Sequence, residues 1–207
     1  MTNVDDIYNF AFTGAALKFH DFMRLVNYIA DHQFDIEWHP LDPGLIMRRS
    51  NARTNQREFQ ELIKRYLQLT PEQRTLIADL DTIGQKQLAL LGICKAYPFI
   101  RDFIVEVVRE KFLSLDYQLT DGDYQSFYNR KLELHPELES FAESTTKKAR
   151  QVTWRILEEA GLINNTQDRI ILPQFVNQRI IKGVAADNPA LLKIFLMTDS
   201  ELKAYTA

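Results

Sequence analysis

The sequence predicts an all-α protein, mainly helical, with helix-turn-helix elements and a small winged β-hairpin near the C-terminus. Three observations support this fold class. Apolar residues recur at helical spacing through most of the 207 residues, and the few glycines and prolines lie between these periodic stretches. One brief stretch rich in β-branched residues follows a glycine stop. The periodic stretches predict about nine helices.

The N-terminal part of the chain is predicted to fold into helices separated by prolines. Thr13 is suited to cap the first helix, because its side-chain oxygen can accept a hydrogen bond from the first turn. Pro40 and Pro43 interrupt the pattern, and Thr70 followed by Pro71 marks a restart. The predicted helices of this part cover 13–30, a short piece near 44–49, and 54–69.

The middle of the chain is predicted to hold the central core. Two strongly apolar helices, 85–97 and 99–115, are split by Pro98. Cys94 lies in the first of them and has no second cysteine to pair with, so we interpret it as a buried thiol. Further helices are predicted over 120–134, from 136 onward and over 190–197.

The stretch from Ser144 to Leu172 predicts a winged-helix element. Its helix begins at a Ser/Thr cap, carries cations along one face and stops at Gly161. A polar turn starting at Asn164 and a brief β-branched strand follow, with Arg169 as a candidate phosphate contact. In a winged helix, a basic helix fits the major groove and the hairpin beside it reaches the DNA backbone.

Two subdomains are predicted, although no low-complexity linker divides the chain. The first covers 1–80 and contains a helix-turn-helix-like element. The second covers 81–207 and contains the winged-helix-like element. The boundary between them is expected between 69 and 85, where a new apolar pattern begins.

Composition argues against several classes of protein. The chain is 45% hydrophobic and 26% charged, which favours a folded core over disorder. The longest candidate for a membrane span, 88–108, contains charged residues such as Lys95 and Arg101 and is broken by Pro98, so a membrane protein is rejected. The first residues lack a signal-peptide pattern. We expect a cytoplasmic protein, a compartment that suits a single free cysteine.

Charged residues are grouped along the chain, although its net charge is only −3. The segments 43–70 and 143–155 have net charges of +4 and +3, whereas 116–140 between them has −4. Both basic segments lie at or near the start of a predicted helix, where free N–H groups and the helix dipole attract phosphate. An ordinary solvated helix face is the alternative interpretation of each segment.

The sequence therefore predicts a nucleic-acid interface formed by two basic helix starts. Cations would hold phosphates, and the polar side chains between them would contact phosphate oxygens or base edges, with little sequence preference. The N-terminal candidates are Arg48, Arg49, Ser50, Asn51, Arg53, Thr54, Asn55 and Arg57. The C-terminal candidates are Lys147, Lys148, Arg150, Gln151 and Arg155.

No pattern in the sequence predicts an enzyme, a cofactor or a metal site. A Gly-rich phosphate loop is missing, the four histidines are scattered, and no spacing selects a catalytic set. Asp121 and Asp123 lack the rest of a calcium loop and fit a helix start better. We therefore expect a non-enzymatic protein without cofactors.

Several short motifs occur together in the order of a known family. The chain resembles the BrxA-like family, the A component of BREX bacteriophage-exclusion systems, over roughly 13–176. The motifs are Thr13-Gly-Ala, Arg49-Ser50, Ala52-Arg-Thr54, Cys94-Lys-Ala-Tyr-Pro98, Arg101-Asp-Phe103, Glu143-Ser-Thr-Thr-Lys-Lys148 and Ile156-Leu-Glu-Glu-Ala-Gly-Leu162. Each motif is weak alone, and the specificity lies in their shared order and spacing.

The resemblance implies a small cytoplasmic accessory protein of a prokaryotic anti-phage defence island. Its implied fold is all-helical with helix-turn-helix and winged elements, and its implied partners are double-stranded DNA and other BREX components. Two alternatives stay open: a scaffold that contacts other defence components through 116–140 or 190–197, and an RNA-binding helical protein. A monomer is expected, because no heptad repeat or free apolar stripe requires a dimer.

Overall fold

The computed structural model describes residues 7–37, 39–47 and 52–205, and the prediction of a mainly helical fold is confirmed. Within these ranges the α-helices are α1 (Phe19–His32), α2 (Pro43–Ile46), α3 (Ala52–Leu67), α4 (Pro71–Ala78), α5 (Thr82–Ala96), α6 (Pro98–Phe103), α7 (Arg109–Leu113), α8 (Asp121–Leu132), α9 (Glu143–Ala160), α10 (Gln178–Asp187) and α11 (Asp199–Lys203). Short 3-10 helices cover Ala11–Gly14, Pro136–Ser140 and Pro189–Phe195, and a π-helical stretch, Ile104–Val108, joins α6 to α7.

The first α-helix begins later than predicted, and Thr13 is not its cap. Ala11–Gly14 forms only a 3-10 turn, and α1 starts after Lys18, whose φ of 52° is left-handed. The two alanine carbonyls that follow the turn accept hydrogen bonds from the buried guanidinium of Arg65. Because these carbonyls are bonded to a side chain of α3, the chain does not continue as a helix there.

The predicted restart at Thr70 is confirmed. The Thr70 hydroxyl accepts a hydrogen bond from the backbone N–H of Gln73 at 3.3 Å, and the Gln73 side chain accepts one from the backbone N–H of Thr70 at 3.0 Å. This reciprocal capping box fixes the start of α4, with Pro71 as its first residue.

A hydrophobic core cluster contains residues from Tyr8 to Leu202, so both predicted subdomains contribute to it. At its centre, α5 packs against α1, α3, α4, α6 and α9. Cys94 on α5 is fully buried, as predicted. Gly92 permits the close approach of α3, because a Cβ at that position would lie 2.8 Å from the Arg65 carbonyl oxygen. The division near residue 80 stays a prediction.

The apolar residues within 190–197 are mostly turned into the core. Leu192 and Ile194 are fully buried, and Phe195 is 2% exposed. The expectation that this segment offers an exposed apolar surface to a partner is therefore wrong.

The predicted winged β-hairpin is not present as a pair of strands. In the part of the chain that the structure describes, Ile163 and Ile171 form one isolated antiparallel bridge, and Gln118 and Ile170 form another. The turn itself takes up the backbone donors, because the Asn164 side chain accepts a hydrogen bond from Ile170 at 2.8 Å. Side chains that bond nearby N–H groups in this way compete with a strand ladder.

The described ranges contain neither a helix that could span a membrane nor a cluster that could hold a metal ion. None of the helices there is long and apolar enough to cross a membrane. No group of three or more histidine, cysteine, aspartate or glutamate side chains that could hold a metal ion is found among the described residues.

Candidate nucleic-acid interface

The N-terminal candidate residues divide into those that the structure describes and those that it does not. Arg48, Arg49, Ser50 and Asn51 lie outside the described residues. The other four lie in the first two turns of α3, a helix with no acidic residue in its first turn. Arg53, Thr54 and Arg57 are exposed, whereas Asn55 is buried at 8% exposure. Of the four described candidates, the exposed ones are therefore two arginines and a threonine.

These residues line a cleft that also contains a cation of the second basic segment. We call it the α3–α9 cleft, with a volume of about 390 Å³, and its lining residues are Gly14, Arg53, Thr54, Arg57, Glu58 and Lys148. Lys148 comes from the second turn of α9. Two basic segments that are far apart in the sequence therefore share one concave surface.

The side chain of Arg57 packs closely against Gly14 in this cleft. A Cβ at Gly14 would lie 2.9 Å from Nη2 and 3.0 Å from Nε of Arg57. The guanidinium therefore lies closer to the Ala11–Gly14 turn than any larger residue would permit. Gly14 was not among the predicted site residues, because its contact with Arg57 exists only after α3 packs on the turn.

Arg65 holds the chain that follows the Gly14 turn. Its Nη1 donates to the Ala16 carbonyl at 2.5 Å, and its Nη2 donates to the Ala15 carbonyl. Burial lowers the pKa of the Arg65 guanidinium to about 10, although the nearby carboxylates of Glu61 and Glu159 raise it. The side chain is therefore charged at neutral pH and fixes the turn to α3.

Three cations of the α3–α9 cleft have no carboxylate partner in the described ranges. None of the ion pairs found there involves Arg53, Arg57 or Lys148. The acidic lining residue, Glu58, is buried and lies 3.4 Å from the Nζ atom of Lys18. Within the described ranges, the lining of this cleft therefore carries three cations and one carboxylate, an excess of positive charge.

The other cations of α9 are paired with carboxylates. Lys147 lies 2.7 Å from Glu143, and its hydrogen bond holds the pKa of that carboxyl below the usual range. Arg155 Nε lies 3.2 Å from Glu159, and Arg150 Nε lies 3.9 Å from Asp121. Such exposed pairs are weak, typically below about 1 kcal/mol, so an anionic ligand can displace them.

The exposed surface of α9 is a ridge between two clefts. Lys147, Lys148, Gln151 and Arg155 are exposed along the helix, while Arg150 is half-buried. On the side opposite the α3–α9 cleft lies the α8–α9 cleft, of about 270 Å³, lined by Tyr124, Gln125, Tyr128, Glu143, Thr146, Lys147 and Arg150. Cations of α9 therefore face both clefts.

Asp121, the first residue of α8, contacts both α9 and the turn that follows α9. Its Oδ1 accepts hydrogen bonds from Trp154 Nε1 at 3.2 Å and from Arg169 Nη1 at 2.9 Å. The Arg169 guanidinium also lies 4.7 Å from the centroid of the buried Trp154 ring. Trp154 is thus a packing residue, and Arg169 is already engaged by a carboxylate and a ring. Asp121 and Trp154 are 33 residues apart in the chain, and no sequence pattern predicts their hydrogen bond.

The fold and the cleft define a mainly helical protein with a local cationic surface on an otherwise acidic chain. A family model described as BrxA matches residues 6–188. The chain therefore belongs to the BrxA family.

Two relatives carry the name "BREX protein BrxA". The one from Escherichia coli O9:H4 (strain HS) is 28% identical over 142 residues, which span 65% of this chain and 67% of the relative. The one from Bacillus cereus (strain H3081.97) is 31% identical over 107 residues, which span 51% of this chain and 54% of the relative. The matched region thus covers only part of each protein.

A solved structure shares the fold. The crystal structure of an uncharacterized protein from Magnetospirillum magneticum superposes with a TM-score of 0.77 at 17% identity, covering 93% of this chain and 99% of that one. At this level of identity, the similarity concerns the fold alone.

Proposed function

We propose that this protein is a non-enzymatic, monomeric accessory component of a BREX phage-defence system that binds double-stranded DNA. Membership of the BrxA family and two relatives named "BREX protein BrxA" support the assignment to BREX. The observation that supports DNA binding is the α3–α9 cleft, where Arg53, Arg57 and Lys148 converge without ion-pair partners among the described residues. Phosphate oxygens are the ligand that such a set of donors favours.

The contact is expected to be mainly with the DNA backbone. Guanidinium and ammonium groups in an exposed cleft bind phosphate whatever the base sequence. Gln151 on the exposed ridge of α9 is the side chain best placed to meet a base edge, because glutamine can pair with adenine in the major groove. In this proposal α9 is the recognition helix.

The proposal is tested by a charge-matched comparison of two triple variants. Replacing Arg53, Arg57 and Lys148 with alanine removes the cleft cations, and replacing Arg130, Arg179 and Lys182 removes three exposed cations outside the clefts. Duplex affinity is measured by fluorescence anisotropy over a range of salt concentrations, with equal-length duplex RNA as a competitor.

The cleft variant should bind more weakly at every salt concentration. Its log–log salt slope should be less steep by about 2.7, since each neutralised phosphate contributes about 0.9. The control variant should keep most of the wild-type slope. If both variants lose the same amount of duplex affinity, the effect depends only on net charge. If RNA displaces DNA at equal concentration, the RNA-binding alternative is favoured.

A second candidate function is a protein-binding scaffold. Exposed apolar residues lie in or next to the acidic segment 116–140: Leu115 is 75% exposed, Tyr117 40% and Leu134 53%. Exposed apolar side chains beside charged ones are typical of protein interaction surfaces. Two results together would favour this function. The protein would bind no duplex, and it would show a nuclease-resistant interaction with another defence component that is lost when Leu115 and Leu134 are replaced with serine.

A further inference from the structure

A second cleft lies beside the α3–α9 cleft and is connected to it by one ion pair. We call it the α1–α5 cleft, with a volume of about 400 Å³, and its lining residues are Lys18, Phe19, His20, Asp21, Lys86 and Glu159. Lys18 lines this second cleft, and its Nζ lies 3.4 Å from Glu58, which lines the first. The two clefts therefore adjoin each other at this ion pair.

The acidic groups of the α1–α5 cleft already have partners. Asp21 pairs with Arg24, one turn further along α1. Glu159 accepts a hydrogen bond from the backbone N–H of Lys18 at 2.7 Å and pairs with Arg155 Nε at 3.2 Å. These carboxylates therefore do not neutralise the remaining cation of the cleft.

That remaining cation is Lys86 on α5. None of the ion pairs within the described ranges involves Lys86, and its Nζ lies 5.8 Å from the centroid of the Phe19 ring. The contact with Phe19 places the ammonium group over an aromatic face at the cleft wall. The exposed His20 also contacts this ring, with 5.5 Å between the two ring centroids.

We propose that the α1–α5 cleft is a second phosphate-binding site and that Lys86 contacts the backbone of the same duplex that occupies the α3–α9 cleft. This inference rests on the proposed function. The Lys18–Glu58 pair separates the two sites, so the duplex backbone passes from Arg53 and Arg57 over this pair to Lys86. The shared chemistry is a phosphate oxyanion, and a free phosphate ion is the other source that the test distinguishes.

The test uses the full chain with Lys86→Ala, the charge-retaining Lys86→Arg, and Lys182→Ala as a control. Lys182 is an exposed lysine of α10 that lines none of the three clefts. Duplex affinity is measured at several salt concentrations for each variant. In parallel, acetylation of Lys86 in the wild-type protein is measured by mass spectrometry with no ligand, with duplex DNA and with inorganic phosphate.

Lys86→Ala should bind duplex DNA more weakly, and its log–log salt slope should be less steep by about 0.9. The ratio of wild-type to variant affinity should therefore fall about 3.5-fold between about 50 and about 200 mM salt. Lys86→Arg should restore the slope, Lys182→Ala should match the wild type, and the duplex should protect Lys86 from acetylation.

Three results overturn the inference in different ways. If the cleft triple variant weakens binding while Lys86→Ala behaves like Lys182→Ala, the second site is not used and the proposed function stands. If inorganic phosphate protects Lys86 but the duplex does not, the cleft holds a free anion rather than the DNA backbone. If the wild-type protein binds no duplex at low salt, the proposed function and this inference both fail.

Discussion

At the scale of single residues, the position of Arg57 depends on the absence of a side chain at Gly14. The guanidinium fills the space that a Cβ at Gly14 would occupy. An arginine with several rotatable bonds loses considerable freedom on binding, so a surface that fixes its end reduces this loss. Gly14 is therefore a positioning residue in the proposed phosphate site.

We expect Gly14→Ala to weaken duplex binding without unfolding the protein. The new methyl group displaces the flexible end of Arg57, which moves easily, so the free energy of unfolding should change by less than about 1 kcal/mol. Duplex affinity should fall by roughly 1 kcal/mol, about five-fold, as expected when one charged hydrogen bond is weakened rather than lost. Anisotropy titration and urea denaturation provide the two measurements.

The matched control for this change is Gly122→Ala on α8. A Cβ there would meet only the Thr120 Oγ1 atom at 3.4 Å, an ordinary contact outside the clefts. Its duplex affinity should equal that of the wild type. If Gly14→Ala also binds like the wild type, the contact between Gly14 and Arg57 has no role in binding.

Residue composition and spacing predicted the charges of the site but not their partners. The grouping of arginines and lysines identified Arg53, Arg57 and Lys148. It could not separate them from Lys147 and Arg155, because an ion pair depends on which side chains the fold brings together. Asn55 was included as a short polar side chain between the cations, although α3 turns it inward and buries it.

At the scale of helices, the contact between α3 and α5 requires a glycine. Gly92 lies within α5, as it does within the predicted helix 85–97. A Cβ there would lie 2.8 Å from the carbonyl oxygen of Arg65 and 3.4 Å from its carbonyl carbon. These are backbone atoms and cannot rotate away, so glycine sets the distance between the two helices.

Gly92→Ala should therefore destabilise the protein. Separating two packed helices costs about 1–3 kcal/mol, which outweighs the helix propensity that alanine adds. Gly183→Ala on α10 is the matched control, since a Cβ there meets nothing within 4 Å. That change should stabilise the protein by about 0.5–1 kcal/mol. Urea midpoints measure both, and a Gly92 variant as stable as the wild type would contradict the close approach.

Helix starts and apolar stripes were predictable because they depend on nearby residues. The capping box at Thr70 and the Pro98 break follow from local hydrogen bonding and from the missing proline N–H. The helix expected from Thr13 was wrong because a residue distant in the chain bonds its backbone, whereas the winged hairpin was wrong because of a side-chain bond within the turn itself. Arg65 takes the carbonyls after Gly14, and the Asn164 side chain takes a donor of the hairpin.

At the scale of the whole molecule, the fold joins two basic segments that the sequence could only treat separately. Sequence spacing does not determine whether α3 and α9 face each other, because both pack through the turn Ala11–Gly14. Once packed, they bring cations from both segments into the α3–α9 cleft. We expect these cations to bind the same stretch of DNA backbone.

The most direct test of a shared phosphate site is a double-mutant cycle. Duplex binding at low salt is measured for Arg57→Ala, for Lys148→Ala and for the variant that carries both changes. Each single change should weaken binding, and the double change should differ from the sum of the two by about 0.5 kcal/mol or more, as for residues in one interaction network. A sum that agrees within about 0.3 kcal/mol, or a single change without effect, would contradict a shared phosphate site in the α3–α9 cleft.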